Sequence, residues 1–324
     1  MTFKARGLYA SSSKEPRRRF RVGPWLVIGG VLVAIMVAAT SFSVLGSVGV
    51  DRGDRSDSFA GIRTLEVDNR TGGDVVLAGG GDEVVVERTL RGTPLTEPRE
   101  GAEADGDGLE VEAVCQGIPF FGGCAVNYEI TVPEGTEVTV ETVSGRISAE
   151  NVNGALELST TSGPVEVSDN VGDVAVDTTS GQVSLAGVEG SVGIDTTSGE
   201  VSAAGSGERL EASSTSGRVD VSGFEAESVR AESTSGDVAV GGGFTTAEAS
   251  TVSGRIEVAT GGAFDTLTLD TTSGSIDVRV PRGAYDVTGD STSGQRDVGV
   301  DVEDGAASRI DANTVSGSLS VEPG

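Results

Sequence analysis

The chain has 324 residues, of which 49 are Gly and only 4% are aromatic, and its formal net charge is −27 at pH 7. Few aromatic residues and many Gly residues suit thin stacked β-strands better than a large globular core. So acidic a chain is not a nucleic-acid-binding protein, which needs a basic surface. The acidity has two interpretations, a solvated surface that keeps β-strands soluble or an adaptation to high salt.

The N-terminal segment predicts a membrane anchor. Residues 1–24 are basic and predict a cytoplasmic tail, whereas residues 25–48 contain no charged residue and are long enough for one transmembrane helix. The Arg cluster before the apolar run places the N-terminus in the cytoplasm and the remaining chain outside the cell membrane. A cleavable twin-arginine signal is the alternative. In both cases the rest of the chain is exported.

The exported part divides into a linker and a β region. Residues 49–60 are rich in Gly, Asp and Ser, so we expect a flexible linker. Residues 61–324 predict an extracytoplasmic β-solenoid, with irregular N-terminal rungs over 61–140 and regular repeats over 141–324. Within the irregular part, residues 69–73 resemble a degenerate version of the corner that recurs later.

Two cysteines, Cys115 and Cys124, lie in this irregular part. An even number of cysteines outside the membrane predicts a disulfide-closed hairpin. A metal-binding pair is the alternative, but the chain has no His and no third Cys to complete such a site. Between the cysteines, Phe120 and Phe121 are expected to pack on the first rung as an end cap, and the alternative is an exposed contact patch.

The regular part repeats the phrase Thr/Ser-Thr/Val-Ser-Gly at steps of 18 to 23 residues. A period of about 20 residues is typical of a solenoid. The prediction is therefore an all-β, single-stranded β-helix of about ten rungs, in which each Ser-Gly pair forms a corner. The corner glycines are Gly145, Gly163, Gly181, Gly199, Gly217, Gly236, Gly254, Gly274, Gly294 and Gly317.

The side-chain pattern around each Ser predicts how one rung folds. Positions six, four and two before the Ser are aliphatic or Thr, and positions three and five after it are aliphatic. Because strand side chains alternate between two faces, this slip in parity requires a bend, and Gly tolerates φ > 0 there. We expect the Thr and Ser of each corner to fill the interior beside the bend.

The last rungs are less regular. Arg296 occupies a position where the repeat predicts a buried aliphatic side chain. We expect Val298, Val300 and Val302 to take over the inward face, and residues 318–321 to close the rod.

An outward column of acidic residues lies three positions before the Ser of many repeats. Three interpretations stay open for this column: solvated surface charge, calcium binding between adjacent carboxylates, or a catalytic carboxylate pair. The residue directly before the Ser is mostly Thr and is expected to form a flat outward file. The calcium candidates are Asp177, Asp195, Asp270 and Asp290.

Residues 128–145 read Tyr-Glu-Ile-Thr-Val-Pro-Glu-Gly-Thr-Glu-Val-Thr-Val-Glu-Thr-Val-Ser-Gly, and serial Thr-Ser-Gly rungs follow. This sequence resembles the DUF4097-type adhesin family of bacteria and archaea over about residues 60–324. The resemblance implies a β-solenoid of the cell surface or envelope, and it supplies no catalytic residues. Some members of the family look like sensors or effectors of envelope stress.

These observations predict a non-enzymatic adhesin or structural binding module, held in the membrane by residues 25–48. Apart from calcium, no cofactor is expected. The partner is an envelope or surface component, protein or polysaccharide, and the sequence leaves open whether rods self-associate. One alternative is an envelope-stress sensor that signals through its cytoplasmic tail, and a further alternative is a polysaccharide-active β-helix enzyme.

Overall fold

The computed structural model describes residues 36, 50–93, 96–117 and 123–324. The described residues from 50 onward contain strands, turns and bends but no helix. Among the described residues, no helix has the length and apolar character to cross a membrane. The predicted tail and the predicted transmembrane segment, residues 25–48, lie outside the described residues apart from Met36.

The strands follow one another along the chain with short connections. The N-terminal strands are β1 (Val50–Ala60), β2 (Thr64–Asn69), β3 (Val75–Gly79), β4 (Glu83–Gly92), β5 (Thr96–Asp105), β6 (Gly108–Gly117) and β7 (Ala125–Val132). The regular repeats contribute β8 (Glu137–Thr142), β9 (Ile147–Glu150), β10 (Leu156–Thr160), β11 (Val165–Ser168), β12 (Val174–Thr178), β13 (Val183–Glu189), β14 (Val192–Thr196), β15 (Val201–Ser214), β16 (Val219–Ser233), β17 (Val238–Gly242), β18 (Phe244–Thr251), β19 (Ile256–Thr260), β20 (Thr266–Thr271) and β21 (Ile276–Val280). The C-terminal strands are β22 (Ala284–Thr288), β23 (Arg296–Val298), β24 (Asp301–Val302), β25 (Arg309–Thr314) and β26 (Leu319–Pro323).

The strands stack as two parallel columns, one on each side of the Ser-Gly corner. In the first column Val174 pairs with Leu156 on one side and with Val192 on the other, without any shift of register. In the second column Val183 pairs with Val165 and with Val201, and the pairing of β13 with β15 has one shift of register after Leu185. Equivalent residues of successive rungs therefore lie about 4.8 Å apart along the rod. The described part is an all-β solenoid of about ten turns, which confirms the predicted fold class.

The core is a continuous aliphatic column enclosed by the two sheets. In β12 Val174 and Val176 are buried while Ala175 and Asp177 are exposed, as expected for a strand with one face inward. In β13 the buried residues Val183 and Leu185 lie an odd number of positions after Ser180, whereas the buried residues of β12 lie an even number of positions before it. The predicted slip at Ser-Gly is therefore present.

The corner glycines are required by crowding between rungs. A Cβ added to Gly181 would lie 1.9 Å from the carbonyl oxygen of Gly163, and one added to Gly199 would lie 2.0 Å from that of Gly181. None of the ten corner glycines, all within the described part of the chain, has a positive φ. The predicted reason for Gly at the corner, tolerance of φ > 0, is therefore wrong. Gly is needed because each corner backbone lies directly on the corner below.

At the N-terminal end the order of rungs in space differs from their order in the chain. Strand β2 pairs with β6 on one side and with β8 on the other, and β3 likewise pairs with β7 and β9. The outermost rung is therefore β6 and β7, although β2 and β3 come earlier in the sequence. Strands β4 and β1 extend this end as antiparallel strands beside β7.

Residues 50–60, for which the composition predicted a flexible linker, form strand β1. This strand pairs antiparallel with β4. The pairing runs from Val50 opposite Gly92 to Ala60 opposite Glu83, with one shift of register. The composition was misleading because exposed edge strands are often polar and charged, as linkers are.

The C-terminal end shows a similar inversion. Strands β25 and β26 lie between β20 and β21 on one side and β22 and β23 on the other. The terminal rung is therefore residues 284–298, and the prediction that residues 318–321 close the rod is wrong. We call the rung formed by β25 and β26 the inserted rung. The side chain of Tyr285 reaches past this rung and stacks directly on Phe264, with ring centroids 5.7 Å apart.

This terminal position explains the irregular sequence at the C-terminal end. Arg296 is exposed because no rung covers the outer side of β23. Val298 and Val300 pack partly against the core, as expected, but Val302 is 54% exposed, so the expectation for Val302 is wrong. A charged residue on an unpaired edge discourages pairing with other chains.

Substituting a corner glycine tests the crowding argument. We expect Gly181→Ala to lower the free energy of unfolding by about 1–3 kcal/mol, because the new methyl group overlaps the Gly163 carbonyl. The matched control is Gly193→Ala in β14, where an added Cβ has no atom within 4 Å and φ is not positive. This control should lie within about 1 kcal/mol of the wild type. Chemical denaturation measures both, and equal midpoints for the two variants would contradict the crowding argument.

Candidate binding groove

Three consecutive residues at each corner build a groove that runs along the rod. The residue three before the Ser and the residue one before it point outward, and the residue between them points inward. In spatial order, the acidic file comprises Glu141, Ser159, Asp177, Asp195, Ser213, Glu232, Ser250, Asp270, Asn313 and Asp290. The threonine file comprises Val143, Thr161, Thr179, Thr197, Thr215, Thr234, Val252, Thr272, Val315 and Thr292.

The floor of the groove is a ladder of buried hydroxyl groups. The hydroxyl of Thr196 accepts a hydrogen bond of 2.9 Å from the backbone N–H of Gly199 in the same corner. In later rungs the hydroxyl also donates to the corner below, as Thr251 does to the carbonyl of Gly236 at 3.0 Å. Buried backbone groups need such partners, so a hydroxyl three positions before the corner Gly is part of the fold.

The serine of each Ser-Gly pair does not belong to this ladder. Ser162, Ser180 and Ser198 are exposed, so the prediction that the corner Ser fills the interior is wrong. The chain needs two outward residues, such as Thr197 and Ser198, to pass around the corner between the buried Thr and the buried Gly. The exposed Thr and Ser therefore form two parallel rows of hydroxyl groups.

The groove consists of two clefts on the same files. The first, of about 360 Å³, lies between Ser159 and Ser213 and includes Asp177 and Asp195. The second, of about 460 Å³, lies between Ser233 and Val315 and includes Asp270. Neither cleft is lined by Lys or Arg. The groove therefore presents carboxylates, hydroxyls and a few Val methyl groups at the spacing of the rungs.

The acidic residues predicted as calcium ligands are only partly brought together. Asp177 and Asp195 are direct neighbours in adjacent rungs, and Asp195 accepts a hydrogen bond from the hydroxyl of Ser213. Asp270 and Asp290 are not neighbours, because Asn313 of the inserted rung lies between them and donates to Asp270 at 3.3 Å.

Within residues 50–93, 96–117 and 123–324, no group of three or more Asp, Glu, Cys or His residues is arranged to hold a metal ion. Calcium prefers six to eight oxygen ligands, more than an adjacent pair of carboxylates provides.

The predicted disulfide joins Cys115 and Cys124 in the outermost rung, with their Cα atoms 6.0 Å apart. It connects the end of β6 to the residue before β7, where other rungs have a Ser-Gly corner. Phe120 and Phe121, predicted to cap this end, lie outside the described residues. The degenerate corner at residues 69–73 uses Asn69, whose buried amide donates to the carbonyls of Gly73 and Val126 at 3.0 and 2.9 Å.

A second series of crowded glycines marks another corner, which the sequence reasoning missed. A Cβ on Gly172 would lie 2.5 Å from the carbonyl oxygen of Gly154, and one on Gly190 would lie 2.3 Å from that of Gly172. Gly207 continues the series on Gly190. The signal was present in the sequence, since these glycines recur two or three positions before the first inward aliphatic residue of a rung.

Comparison with known protein families agrees with this architecture. Residues 64–322 match the family described as Toastrack DUF4097. The chain belongs to the DUF4097 family. The match confirms the resemblance seen in the sequence and covers almost the whole solenoid. No curated protein matches this DUF4097 member.

Three crystal structures of candidate adhesion proteins are similar to this DUF4097 chain. One from Parabacteroides distasonis has 14% sequence identity and a TM-score of 0.36, and the match covers 85% of this chain and 98% of the other. One from Bacteroides fragilis has 13% identity and a TM-score of 0.33, with 84% and 97% covered. One from Clostridium sporogenes has 9% identity and a TM-score of 0.25, with 84% and 99% covered.

The hydroxyl ladder can be tested with neighbouring threonines. Thr196→Val removes the acceptor of the buried Gly199 N–H, so we expect a loss of about 1–3 kcal/mol in the free energy of unfolding. Thr197→Val makes the same chemical change at the adjacent exposed position, where we expect a change within about 0.5 kcal/mol. Urea denaturation compares them. If Thr197→Val destabilised the protein as much as Thr196→Val, the assignment of buried and exposed hydroxyls would be wrong.

Proposed function

We propose that this DUF4097 protein is a membrane-anchored adhesin that binds an extended polysaccharide of the cell envelope or surface along its groove. The observation that supports the proposal most directly is the constant register of the rungs. The register repeats a carboxylate, hydroxyl or amide group and a Thr or Val about every 4.8 Å along one side of the rod. Sugar hydroxyl groups donate to carboxylates and exchange hydrogen bonds with Thr and Ser, so successive sugars can meet successive rungs.

Weak contacts become useful when they are repeated. A single sugar that meets one Asp and one Thr gains little, because exposed groups give up hydrogen bonds to water when they bind. A polymer that lies along several rungs makes many such contacts, but it loses its translational freedom only once. A long rod with a straight groove suits this type of binding.

The composition supports a binding role without catalysis. The chain has no His, the commonest general base in enzymes. Both cysteines are joined in a disulfide, so neither is a nucleophile. The adjacent carboxylates Asp177 and Asp195 have the same strand environment, which gives no basis for separate acid and base roles.

The anchoring part of the proposal comes from the apolar segment 25–48 and the basic residues before it. Residue 50 begins the first strand of the solenoid, so a helix ending near residue 48 would hold the rod close to the bilayer. The positive-inside rule places the basic tail in the cytoplasm and the solenoid outside.

Reversing one charge in the groove tests the binding site. We expect Asp195→Arg to weaken binding to isolated envelope polysaccharide about tenfold or more, because a charge-assisted hydrogen bond is lost and a long side chain blocks the cleft. Glu189→Arg is the control. Glu189 ends β13, the strand before the one that carries Asp195, and it is also exposed but does not line the cleft. Sedimentation with the polysaccharide measures both. Equal binding by the two variants would place the binding site elsewhere.

Removal of the cytoplasmic tail separates an adhesin from a sensor. We expect a chain without residues 2–16, which keeps the Arg cluster of residues 17–21 that sets the orientation, to keep its binding to polysaccharide at the cell surface. A sensor that signals through this tail would instead lose the response of the cell to envelope damage. Surface binding and the envelope-stress response are measured on the same cells, and loss of the response with intact binding would favour the sensor.

A further inference from the structure

Strand β1 occupies the junction between the apolar segment and the rod. It begins at Val50, two residues after the predicted membrane segment, and it pairs with β4 alone. Its sequence is polar, and residues 53–58 are exposed. Phe59 near the end of β1 packs partly against the core, so from residue 53 to residue 58 burial of apolar side chains contributes little to holding β1 against the rod.

A network of charged residues connects β1 to β4 and β5. Arg88 of β4 is 5% exposed, the most deeply buried charged residue of the described part. One terminal nitrogen of its guanidinium donates to Asp57 of β1, and the other donates to Glu100 of β5 at 2.8 Å. Arg55 of β1 donates to the second carboxylate oxygen of Glu100 at 2.5 Å. A third side-chain contact, from the hydroxyl of Thr89 of β4 to Asp54 of β1 at 3.0 Å, lies on the exposed side. The two ion pairs of β1 therefore both involve the pair formed by Arg88 and Glu100.

The surroundings of this network make each partner necessary. The side chains of Arg88 and Glu100 are only 4% and 5% exposed, so water replaces a lost partner poorly. Tyr128 of β7 lies opposite Arg88, and burial together with the charge of Glu100 raises the pKa of its hydroxyl, which stays neutral. The positive charge of Arg88 is therefore balanced by Glu100 and Asp57, of which Asp57 belongs to β1.

We propose that Arg88 is a latch that holds β1 on β4 and so makes the junction between the membrane segment and the rod rigid. With β1 released, 11 residues would form a tether with a root-mean-square length of roughly 17–20 Å, free to point in any direction. With β1 latched, the direction of the groove relative to the membrane is fixed. This consequence depends on the membrane anchor of the proposed function, whereas the latch itself depends only on β1, β4 and β5.

Hydrogen exchange of the full chain in detergent micelles, followed by mass spectrometry of peptic peptides, tests the latch. In the wild type we expect slow exchange of those amides of residues 53–60 that hydrogen-bond to β4, about every second one. In Arg88→Met we expect exchange of this segment to be about 100-fold faster or more, with the segment from 156 to 280 unchanged. Arg91→Met is the control, since Arg91 lies on the same strand with an exposed side chain, and it should leave residues 53–60 protected.

A milder variant covers the case in which Arg88→Met unfolds the whole rod, which rapid exchange of residues 156–280 would reveal. Asp57→Asn keeps the shape of a half-exposed side chain and removes only its charge, so we expect selective acceleration of exchange in β1 by about tenfold. Fast exchange of every amide of residues 53–60 in the wild type would overturn the latch. Unchanged protection in Asp57→Asn together with unchanged or global exchange in Arg88→Met would also overturn it. None of these results depends on binding to polysaccharide.

Discussion

The whole structure depends on the close stacking of one corner on the next. The backbone at Gly181 lies so close to the carbonyl of Gly163 that no side chain fits between them. The buried Thr178 supplies the hydrogen bond that the crowded N–H of Gly181 needs. Together these two requirements explain the pairing of Thr with Gly three positions later. They also hold the corners of successive rungs in one register, which straightens the outward files and produces the groove.

The regular part could be predicted because its information is local. Val174, Val176, Val192 and Ile194 follow the alternation of a strand, and their equivalents return at a nearly constant period. The outward orientation of the Thr directly before the corner Ser was predicted correctly. The orientation of the corner Ser could not be predicted, because alternation stops at the bend and a small polar side chain fits either face. The acidic file was correctly placed outside, since Asp177 lies on a strand whose parity is clear. Its proposed calcium pairs were less predictable, because Asn313 reaches Asp270 only through the order of rungs in space.

The two ends could not be predicted from local patterns. The step from Ser273 to Ser293 is 20 residues, as in an ordinary repeat, yet another rung lies between their corners. What distinguishes this arrangement is a distant contact, the stacking of Tyr285 on Phe264. At the other end, β1 looks like a linker by composition, and its place is decided by the edge of β4 and the buried Arg88. Both features involve residues that are well separated in sequence.

The inverted ends have a consequence for how such proteins change in length during evolution. The first and last rung-forming segments of the chain, 64–79 and 309–323, each lie one layer inside the rod. A copy of a repeat inserted before residue 64 or after residue 323 would therefore meet an end that is already closed by another layer. Gene duplications that lengthen the rod must instead fall among the uniform central units. Members of the lineage should accordingly differ in the number of central units while both closures stay the same.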